Sequence, residues 1–221
     1  MKTYIFLGGP QELWPENILS EVKELRQAAN KIKVIGVDHG NLLLLNAGVV
    51  PDIAVGDYDS LHGDERKRLE ARVADIRYAI PEKDFTDSEM GLRVALDDLK
   101  STEIMVIGAT GGRLDHFLVN LFCVLKPELR PSLRKIYFQD RQNLIEFYGP
   151  GQHVINKIAA YKYLAFVNLT AVTGFTIFDA KYPLADFKSD YPVSWASNEF
   201  VSAQIHFELT SGVLAVIYSK D

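Results

Sequence analysis

The sequence contains little cysteine, no cluster of basic residues and no long hydrophobic run. Its single cysteine, Cys123, excludes an intramolecular disulfide, and the apolar neighbours predict a buried structural thiol. The formal net charge is −5 and lysine and arginine form no run, which argues against binding to a nucleic-acid backbone. No stretch approaches the roughly 20 apolar residues that a membrane-spanning helix needs. We therefore expect a cytoplasmic protein that binds neither nucleic acid nor membrane.

The first 130 residues alternate short apolar strands with helical patterns. Strands are predicted at residues 4–7, 34–37, 53–55, 77–80 and 104–107, and helices at 18–29, 69–76, 92–99 and 114–125. The strands are continuous apolar runs rather than alternations of apolar and polar residues. Strands of that kind are usually covered on both faces, so the pattern predicts a mostly parallel sheet between helices, an α/β/α domain.

The pattern changes after two prolines, Pro127 and Pro131, which oppose helix continuation and predict a boundary near residue 130. From there the hydrophobic period falls to two. Residues 201–209 and 213–218 flank a turn-forming segment and together predict a β-hairpin. We predict two domains, an α/β domain at 1–130 and an all-β domain, a β-sandwich or jelly-roll-like fold, at 131–221.

A pair of aspartates, Asp57 and Asp59, follows the strand at 53–55. In an open α/β sheet, ligands collect at the carboxyl ends of the strands, so both carboxylates are predicted at the ligand-binding edge. Two like charges so close together disfavour joint ionisation, and a hard divalent cation such as Mg²⁺ removes that cost. A solvated turn is the structural alternative. The Asp-x-Asp pattern also suits aspartyl-phosphate phosphatases and metal-dependent glycosyltransferases.

Two further aspartates are predicted near the same edge. Asp38 follows a predicted strand, and a turn-forming role explains it as well as a functional one does. Thr86 and Glu89 match a capping box, which places Asp87 in the first turn of a helix, where the helix dipole favours an anion. The capping box alone is a sufficient reason for that segment, but its position beyond another predicted strand directs Asp87 towards Asp57.

Residues 107–116 read Ile-Gly-Ala-Thr-Gly-Gly-Arg-Leu-Asp-His and predict a strand that runs through a small-residue loop into a helix. Such a loop offers backbone N–H groups and the positive end of the helix dipole to phosphate. Arg113 adds a planar fork for bidentate contact. Asp115 could ligate a metal ion or hold Arg113. The segment is neither a Walker A loop nor a Gly-x-Gly-x-x-Gly turn.

The β portion has fewer chemical signals. Tyr182 could be a surface anchor or a flat face for an aromatic ligand. Ser197 and Asn198 precede the alternating strand at 201–209, and taken alone they favour an ordinary turn.

Taken in order, these segments resemble the thiamine pyrophosphokinase family. The resemblance spans nearly the whole chain and rests on Asp38-x-Gly40, Pro51-Asp52 before Gly56-Asp57-Tyr58-Asp59-Ser60, Asp84-x-Thr86-Asp87, Gly111-Gly112-Arg113-x-Asp115-His116 and Ser197-Asn198-Glu199. Each motif alone is weakly specific, and the five in this order are a strong signal. One departure is His39, which gives the first loop a larger side chain where the family commonly has Asp-Gly-Gly.

The resemblance implies a homodimer that binds ATP and Mg²⁺ in the N-terminal domain. Thiamine would lie in the cleft between that domain and the β domain of the partner subunit. Carried over by position, the carboxylates around Mg²⁺ and the phosphates are Asp57, Asp59, Asp87 and Asp115, with Asp38 beside them. Arg113 would contact phosphate and Lys83 would approach the nucleotide. On the thiamine side, Tyr182 would stack on the ligand, and Ser197 and Asn198 would form a turn.

The reaction that the resemblance implies is transfer of a pyrophosphoryl group. The hydroxyethyl oxygen of thiamine attacks the β-phosphorus of ATP and AMP leaves, which gives thiamine pyrophosphate. Asp59 or Asp87 could accept the hydroxyl proton, and the sequence does not choose between them. Two other classes stay open: a metal-dependent phosphatase with Asp57 as nucleophile, and a non-catalytic module that binds thiamine or nucleotide.

Overall fold

The structure is a computed structural model that describes residues 1–29, 32–58, 62–78 and 85–221. The chain divides into two compact units. The first comprises Met1–Cys123 and Lys135–Arg141, and the second comprises Val124–Arg134 and Gln142–Asp221. The ranges 1–130 and 131–221 stay a prediction for the domains of the chain.

The first unit contains six strands that pair in parallel. They are β1 (Lys2–Phe6), β2 (Ile32–Val37), β3 (Ile53–Gly56), β4 (Asp75–Tyr78), β5 (Glu103–Ile107) and β6 (Ile136–Gln139). Their order across the sheet is β6-β5-β1-β2-β3-β4. Most of these strand residues are buried, as continuous apolar runs require. The predicted parallel α/β sheet is confirmed.

Five α-helices accompany this sheet among the described residues. They are α1 (Ile18–Ala29), α2 (His39–Asn46), α3 (Gly63–Glu70), α4 (Asp87–Arg93) and α5 (Leu114–Cys123). A π-helical turn, Val94–Asp98, continues α4, and 3₁₀ turns lie at Gln11–Leu13 and Arg130–Lys135. No helix in the described part of the chain is long and apolar enough to cross a membrane.

The helix predicted at 69–76 is wrong in its extent. Helix α3 ends at Glu70, and Ile76 lies in strand β4. Leu69, Val73 and Ile76 nevertheless pack in one cluster, around Tyr58. Leu69 lies in helix α3, Val73 in the connection that follows it, and Ile76 in strand β4. Their spacing in the sequence is that of one helical face, although they do not share a helix.

The exposed side of α5 also differs from the prediction, which placed an apolar face at 114–125. Leu114, Leu118 and Phe122 are 77%, 45% and 47% exposed, whereas Asn120 and Cys123 are buried. The buried position of Asn120 is possible because its side-chain amide donates a hydrogen bond to the carbonyl of Ala109 (3.3 Å). The structural role predicted for the buried thiol of Cys123 agrees with its position.

The second unit is an antiparallel β-sandwich. Its strands are β7 (Asn143–Tyr148), β8 (Gly151–Asn156), β9 (Tyr163–Asn168), β10 (Val172–Ile177), β11 (Leu184–Ser189), β12 (Ser194–Asn198), β13 (Gln204–Leu209) and β14 (Leu214–Ser219). One layer has the order β12-β9-β14-β7 and the other β11-β10-β13-β8. Aromatic rings join the layers: Phe166 of β9 lies 5.8 Å from Phe175 of β10 and 5.2 Å from Phe207 of β13. The predicted β-sandwich is confirmed.

The hairpin predicted from residues 201–218 is wrong, although both of its strands exist. Strand β13 pairs with β8 and β10, whereas β14 pairs with β7 and β9 in the opposite layer. The intervening turn is held against β10 by the hydrogen bond from Thr210 N to Thr173 O (2.9 Å), and it packs so closely that a Cβ on Gly212 would lie 2.5 Å from the carbonyl oxygen of Ala171. Alternation identifies a strand but does not choose its partner.

Candidate active site

Three carboxylates come together at the carboxyl ends of the parallel strands. Asp38 follows β2, Asp57 follows β3, and Asp87 is the first residue of α4. One oxygen from each carboxylate lies within 4.8 Å of the other two, and all three residues are half-buried. Close carboxylates repel one another when ionised, and a hard divalent cation with oxygen ligands offsets that repulsion. The donor set therefore fits such a cation.

Asp38 reaches this cluster through an unusual backbone conformation. Its φ is +46° and its ψ is −121°, a combination that a residue with a Cβ rarely adopts. The backbone forms the turn, since its N–H donates to Val55 O (2.9 Å) and its carbonyl accepts from Asn41 N (3.1 Å). The side chain does not cap α2 and instead lies over Gly56, where a Cβ atom would be 2.1 Å from Asp38 Oδ1.

Tyr58 is a buried residue close to the carboxylates of Asp38 and Asp87, and no role was predicted for it from the sequence. The side chain is 3% exposed, its φ is +57°, and its ring meets Tyr78 edge-on at 5.6 Å. Burial raises the pKa of the Tyr58 phenol, and the charges of Asp38 and Asp87 raise it further, so the group is protonated at neutral pH. A bulky aromatic residue between two aspartates is visible in the sequence, but its burial depends on the packing of other elements.

The predicted capping box at the start of α4 is confirmed. Thr86 Oγ1 accepts a hydrogen bond from Glu89 N (3.4 Å), and Glu89 Oε2 accepts one from Thr86 N (3.2 Å). Helix α4 packs tightly on the sheet, because a Cβ on Gly91 would lie 3.1 Å from Val37 Cγ2. The cap and the close packing together set the position of Asp87.

The glycine-rich loop between β5 and α5 has the form expected of a phosphate-binding segment. Gly111 and Gly112 both have positive φ angles, +77° and +76°, and both are exposed. A side-chain hydrogen bond holds the loop in place: Thr110 Oγ1 donates to Asp140 Oδ2 (2.6 Å). Asp140 follows β6, so the strand-end criterion that identified Asp57 would also have found it.

Arg113 and Asp115 form an exposed ion pair at the start of α5. Arg113 Nε donates to Asp115 Oδ1 (3.1 Å), and a second guanidinium nitrogen contacts Oδ2. These hydrogen bonds lower the pKa of Asp115 to about 2. Of the two roles considered from the sequence, holding Arg113 is the one this geometry supports. Asp115 is not one of the three clustered carboxylates among the residues that the structure describes.

Two predicted site residues, Asp59 and Lys83, lie outside the described residues. The same holds for Ser60 and Asp84, which belong to the motifs that carry the family resemblance. Their predicted roles stay predictions.

In the second unit, the predicted thiamine-side residues form one local structure. Asn198 is 1% exposed, and its amide accepts from Tyr182 N (3.0 Å) and donates to Tyr182 O (2.9 Å). Tyr182 itself is 57% exposed. Ser197 is exposed and has a φ of +58°, at the register shift in the pairing of β12 with β9. Ser197 and Asn198 thus form the end of strand β12 rather than a separate turn, and the Asn198 side chain is engaged with the backbone of Tyr182.

The fold is that of an α/β protein with a parallel sheet joined to a β-sandwich, and the clustered carboxylates and glycine loop at the carboxyl edge of the sheet form a site that fits a divalent cation and phosphate. Residues 25–137 match the family model described as thiamin pyrophosphokinase, catalytic domain, and residues 152–214 match the vitamin B1 binding domain of the same enzyme. The chain belongs to the thiamin pyrophosphokinase family.

Individual relatives agree with this assignment over their full length. The chain is 33% identical over 225 residues to the thiamine pyrophosphokinase of Bacillus subtilis strain 168, with 100% of each chain covered. The crystal structure of a thiamin pyrophosphokinase family protein from Enterococcus faecalis is similar at a TM-score of 0.89 and 36% identity, with 100% of both chains covered. The thiamin pyrophosphokinase of Geobacillus thermodenitrificans gives a TM-score of 0.81 at 32% identity, covering 100% of this chain and 98% of that one.

Proposed function

We propose that the protein transfers a pyrophosphoryl group from ATP to the hydroxyethyl group of thiamine, giving thiamine pyrophosphate and AMP. The observation that carries the proposal is the meeting of Asp38, Asp57 and Asp87 at the carboxyl edge of the sheet. That arrangement is suited to a metal-bound polyphosphate, and the family to which the chain belongs is named for this reaction.

The three carboxylates would hold Mg²⁺, with Asp59 as a further ligand carried over from the family resemblance. Bound Mg²⁺ withdraws negative charge from phosphate oxygens. Gly111 and Gly112 would offer backbone N–H groups to the phosphates. Arg113, which is hydrogen-bonded to Asp115, would face the charge that develops during transfer. Lys83 would approach the nucleotide.

The chemical step is an in-line displacement at the β-phosphorus of ATP. The thiamine hydroxyl oxygen forms a new bond to that phosphorus, and the bond to the oxygen shared with the α-phosphorus breaks, which releases AMP. The hydroxyl proton passes to an aspartate, Asp59 or Asp87. The protein contributes mainly alignment and charge neutralisation, as in other phosphoryl transfers.

Thiamine would bind against Tyr182, with Ser197 and Asn198 at the adjoining end of β12. The exposed ring of Tyr182 supports this assignment, because the thiazolium ring of thiamine is a cation and an aromatic face attracts it. We further propose a cytoplasmic homodimer with the thiamine site at the subunit interface, as the family resemblance implies.

The decisive experiment incubates the protein with ATP, Mg²⁺ and thiamine and measures AMP and thiamine pyrophosphate. We expect both products in equal amounts, and Asp57→Asn should abolish them while the protein still folds. Asp64→Asn, which alters an exposed carboxylate of α3, is the matched control and should retain activity.

Other outcomes point to the alternative classes. Phosphate release from a phosphomonoester without ATP would indicate a phosphatase. Binding of thiamine and ATP with no AMP formed would indicate a non-catalytic module. Either result would overturn the proposal.

A further inference from the structure

We infer that Asn198 is a positioning residue for thiamine binding, which acts through Tyr182 rather than through a contact of its own with the ligand. The inference rests on the proposed function and concerns how that site is built. It departs from the role that the family resemblance implies, in which Asn198 itself belongs to the thiamine-side turn.

The hydrogen-bonding capacity of the Asn198 amide is almost fully used within the protein. Its Oδ1 accepts from Tyr182 N (3.0 Å) and from Glu199 N (2.9 Å), which occupies both lone pairs. Its Nδ2 donates to Tyr182 O (2.9 Å). Because the residue is 1% exposed, its remaining N–H is not presented to a ligand from solution.

The backbone of Tyr182 depends on these bonds, and its exposed ring is accompanied by Lys181, whose Nζ lies 5.5 Å from the ring centroid. The preceding residues pair with the chain after Asn198, through the bridge between Ala180 and Phe200 and the bond from Lys181 N to Glu199 O (3.0 Å). At Tyr182 the backbone N–H and carbonyl both turn to the Asn198 side chain instead. The tyrosine side chain is 57% exposed, so the place of its ring follows from its backbone.

An aromatic surface that is ordered before the ligand arrives binds more tightly than one that must be ordered on binding. Loss of the Asn198 amide would leave the ring chemically intact but no longer held in place. The effect should therefore fall on thiamine affinity. The ATP-binding residues belong to the other compact unit, so the KM for ATP and the kcat at saturating thiamine should change little.

The test compares Asn198→Ala with Asn168→Ala. Asn168 is a matched control, since it is also fully buried in the sandwich and its amide also makes three hydrogen bonds to backbone groups, at Thr170, Tyr191 and Val193. We expect Asn198→Ala to raise the KM for thiamine about tenfold, the size of a lost cation–π contact. Asn168→Ala should leave that KM within twofold even if it lowers the melting temperature.

A double-mutant cycle separates the indirect role from a direct one. In a Tyr182→Ala background, Asn198→Ala should add no further increase in the thiamine KM, because the residue through which it acts is gone. The same tenfold increase in both backgrounds would mean that Asn198 touches thiamine itself and would overturn the inference. An unchanged KM for Asn198→Ala in the wild-type background would overturn it as well.

Two further measurements keep the test informative. If Asn198→Ala does not fold, Asn198→Asp keeps the size and the acceptor of the side chain but loses the donor to Tyr182 O, and it should still raise the thiamine KM. Hydrogen exchange of the Tyr182 amide needs no catalysis, and it should be faster in Asn198→Ala than in wild type. If wild type formed no thiamine pyrophosphate, the proposed function would fail, while unchanged exchange would refute the positioning role separately.

Discussion

The carboxylate of Asp38 lies against the backbone of Gly56, so closely that a Cβ atom at position 56 would be 2.1 Å from Asp38 Oδ1. Asp38 directly follows β2, and Gly56 is the last residue of the adjacent parallel strand β3. Position 56 requires glycine for two reasons. The Asp38 carboxylate leaves no room for a Cβ atom, and the backbone has a φ of +152°, which other residues rarely adopt. This contact places Asp38 beside Asp57 and builds one side of the proposed metal site.

Gly56→Ala should therefore displace the Asp38 carboxylate. We expect turnover to fall about 100-fold, the effect of a misplacement of about 1 Å at a reacting centre. The added strain should destabilise the fold by about 1–3 kcal/mol. Steady-state kinetics and urea unfolding measure the two effects. Gly63→Ala is the control, since a Cβ on Gly63 meets nothing within 4 Å, and near-equal activity of the two variants would contradict the prediction.

Thr86→Ala removes the side-chain half of the capping box before Asp87. An N-cap threonine contributes about 1 kcal/mol, so we expect a loss of that size in the free energy of unfolding. A lower affinity for Mg²⁺ in the activity assay should accompany it, because the first turn of α4 carries Asp87. Thr86→Ser retains the hydroxyl and should restore both quantities. A serine variant as impaired as the alanine variant would show that the cap is not the cause.

Asp115→Asn distinguishes the two roles considered for that carboxylate. If Asp115 holds Arg113, the variant should raise the KM for ATP several-fold and leave the Mg²⁺ concentration for half-maximal activity unchanged. A metal ligand would behave differently, since its loss shifts the Mg²⁺ dependence, as expected for Asp57→Asn. Titration of both variants with Mg²⁺ at saturating ATP and thiamine provides the comparison.

Asp52 makes a pH-dependent contribution to stability. Burial acts to raise its pKa, but the hydrogen bond from Val34 N–H and the charges of Arg26 and Lys33 outweigh it and hold the pKa below its ordinary value. A depressed pKa in the folded state stabilises the protein at pH values above the unfolded pKa of about 3.9. That contribution is lost as the pH falls through the lower folded pKa.

Asp52→Asn should accordingly lower the free energy of unfolding by about 1.5–3 kcal/mol at pH 7, the range for hydrogen bonds to charged groups. The difference from wild type should shrink steadily below pH 4. Urea unfolding at pH 7, 5 and 3 measures it. Asp190→Asn, at an exposed position in the second unit, is the control and should show no such pH dependence.

Several features of the site were accessible from sequence because they depend on neighbours along the chain. The capping box at Thr86 is one, since its hydrogen bonds join residues three apart. The position of Asp57 after a buried strand is another. The small residues before Arg113 predicted a loop between a strand and a helix, and the structure has that loop between β5 and α5.

Features that depend on partners distant in the chain were not accessible. Strand β13 was identified, but its pairing with β8 instead of β14 was not. Tyr58 received no role because its burial requires Leu45, Leu69 and Val73 from three other segments. The use of the Asn198 amide to hold Tyr182 joins residues 16 apart, and no local pattern predicts it.

By itself the sequence determined the α/β unit, the β-sandwich and the family. Hydrophobic periodicity and the order of motifs can be recognised without knowing which distant residues are in contact. The family resemblance implied that Asp38 lies beside Asp57 and Asp87, but only the tertiary structure gave the distances that bring these three carboxylates into one cluster. The reason is physical: the distance between carboxylates on three separate elements depends on how closely those elements pack. In this site the distance between the carboxylates depends on the positive φ of Asp38 and on the absence of a side chain at Gly56, against which the Asp38 carboxylate lies.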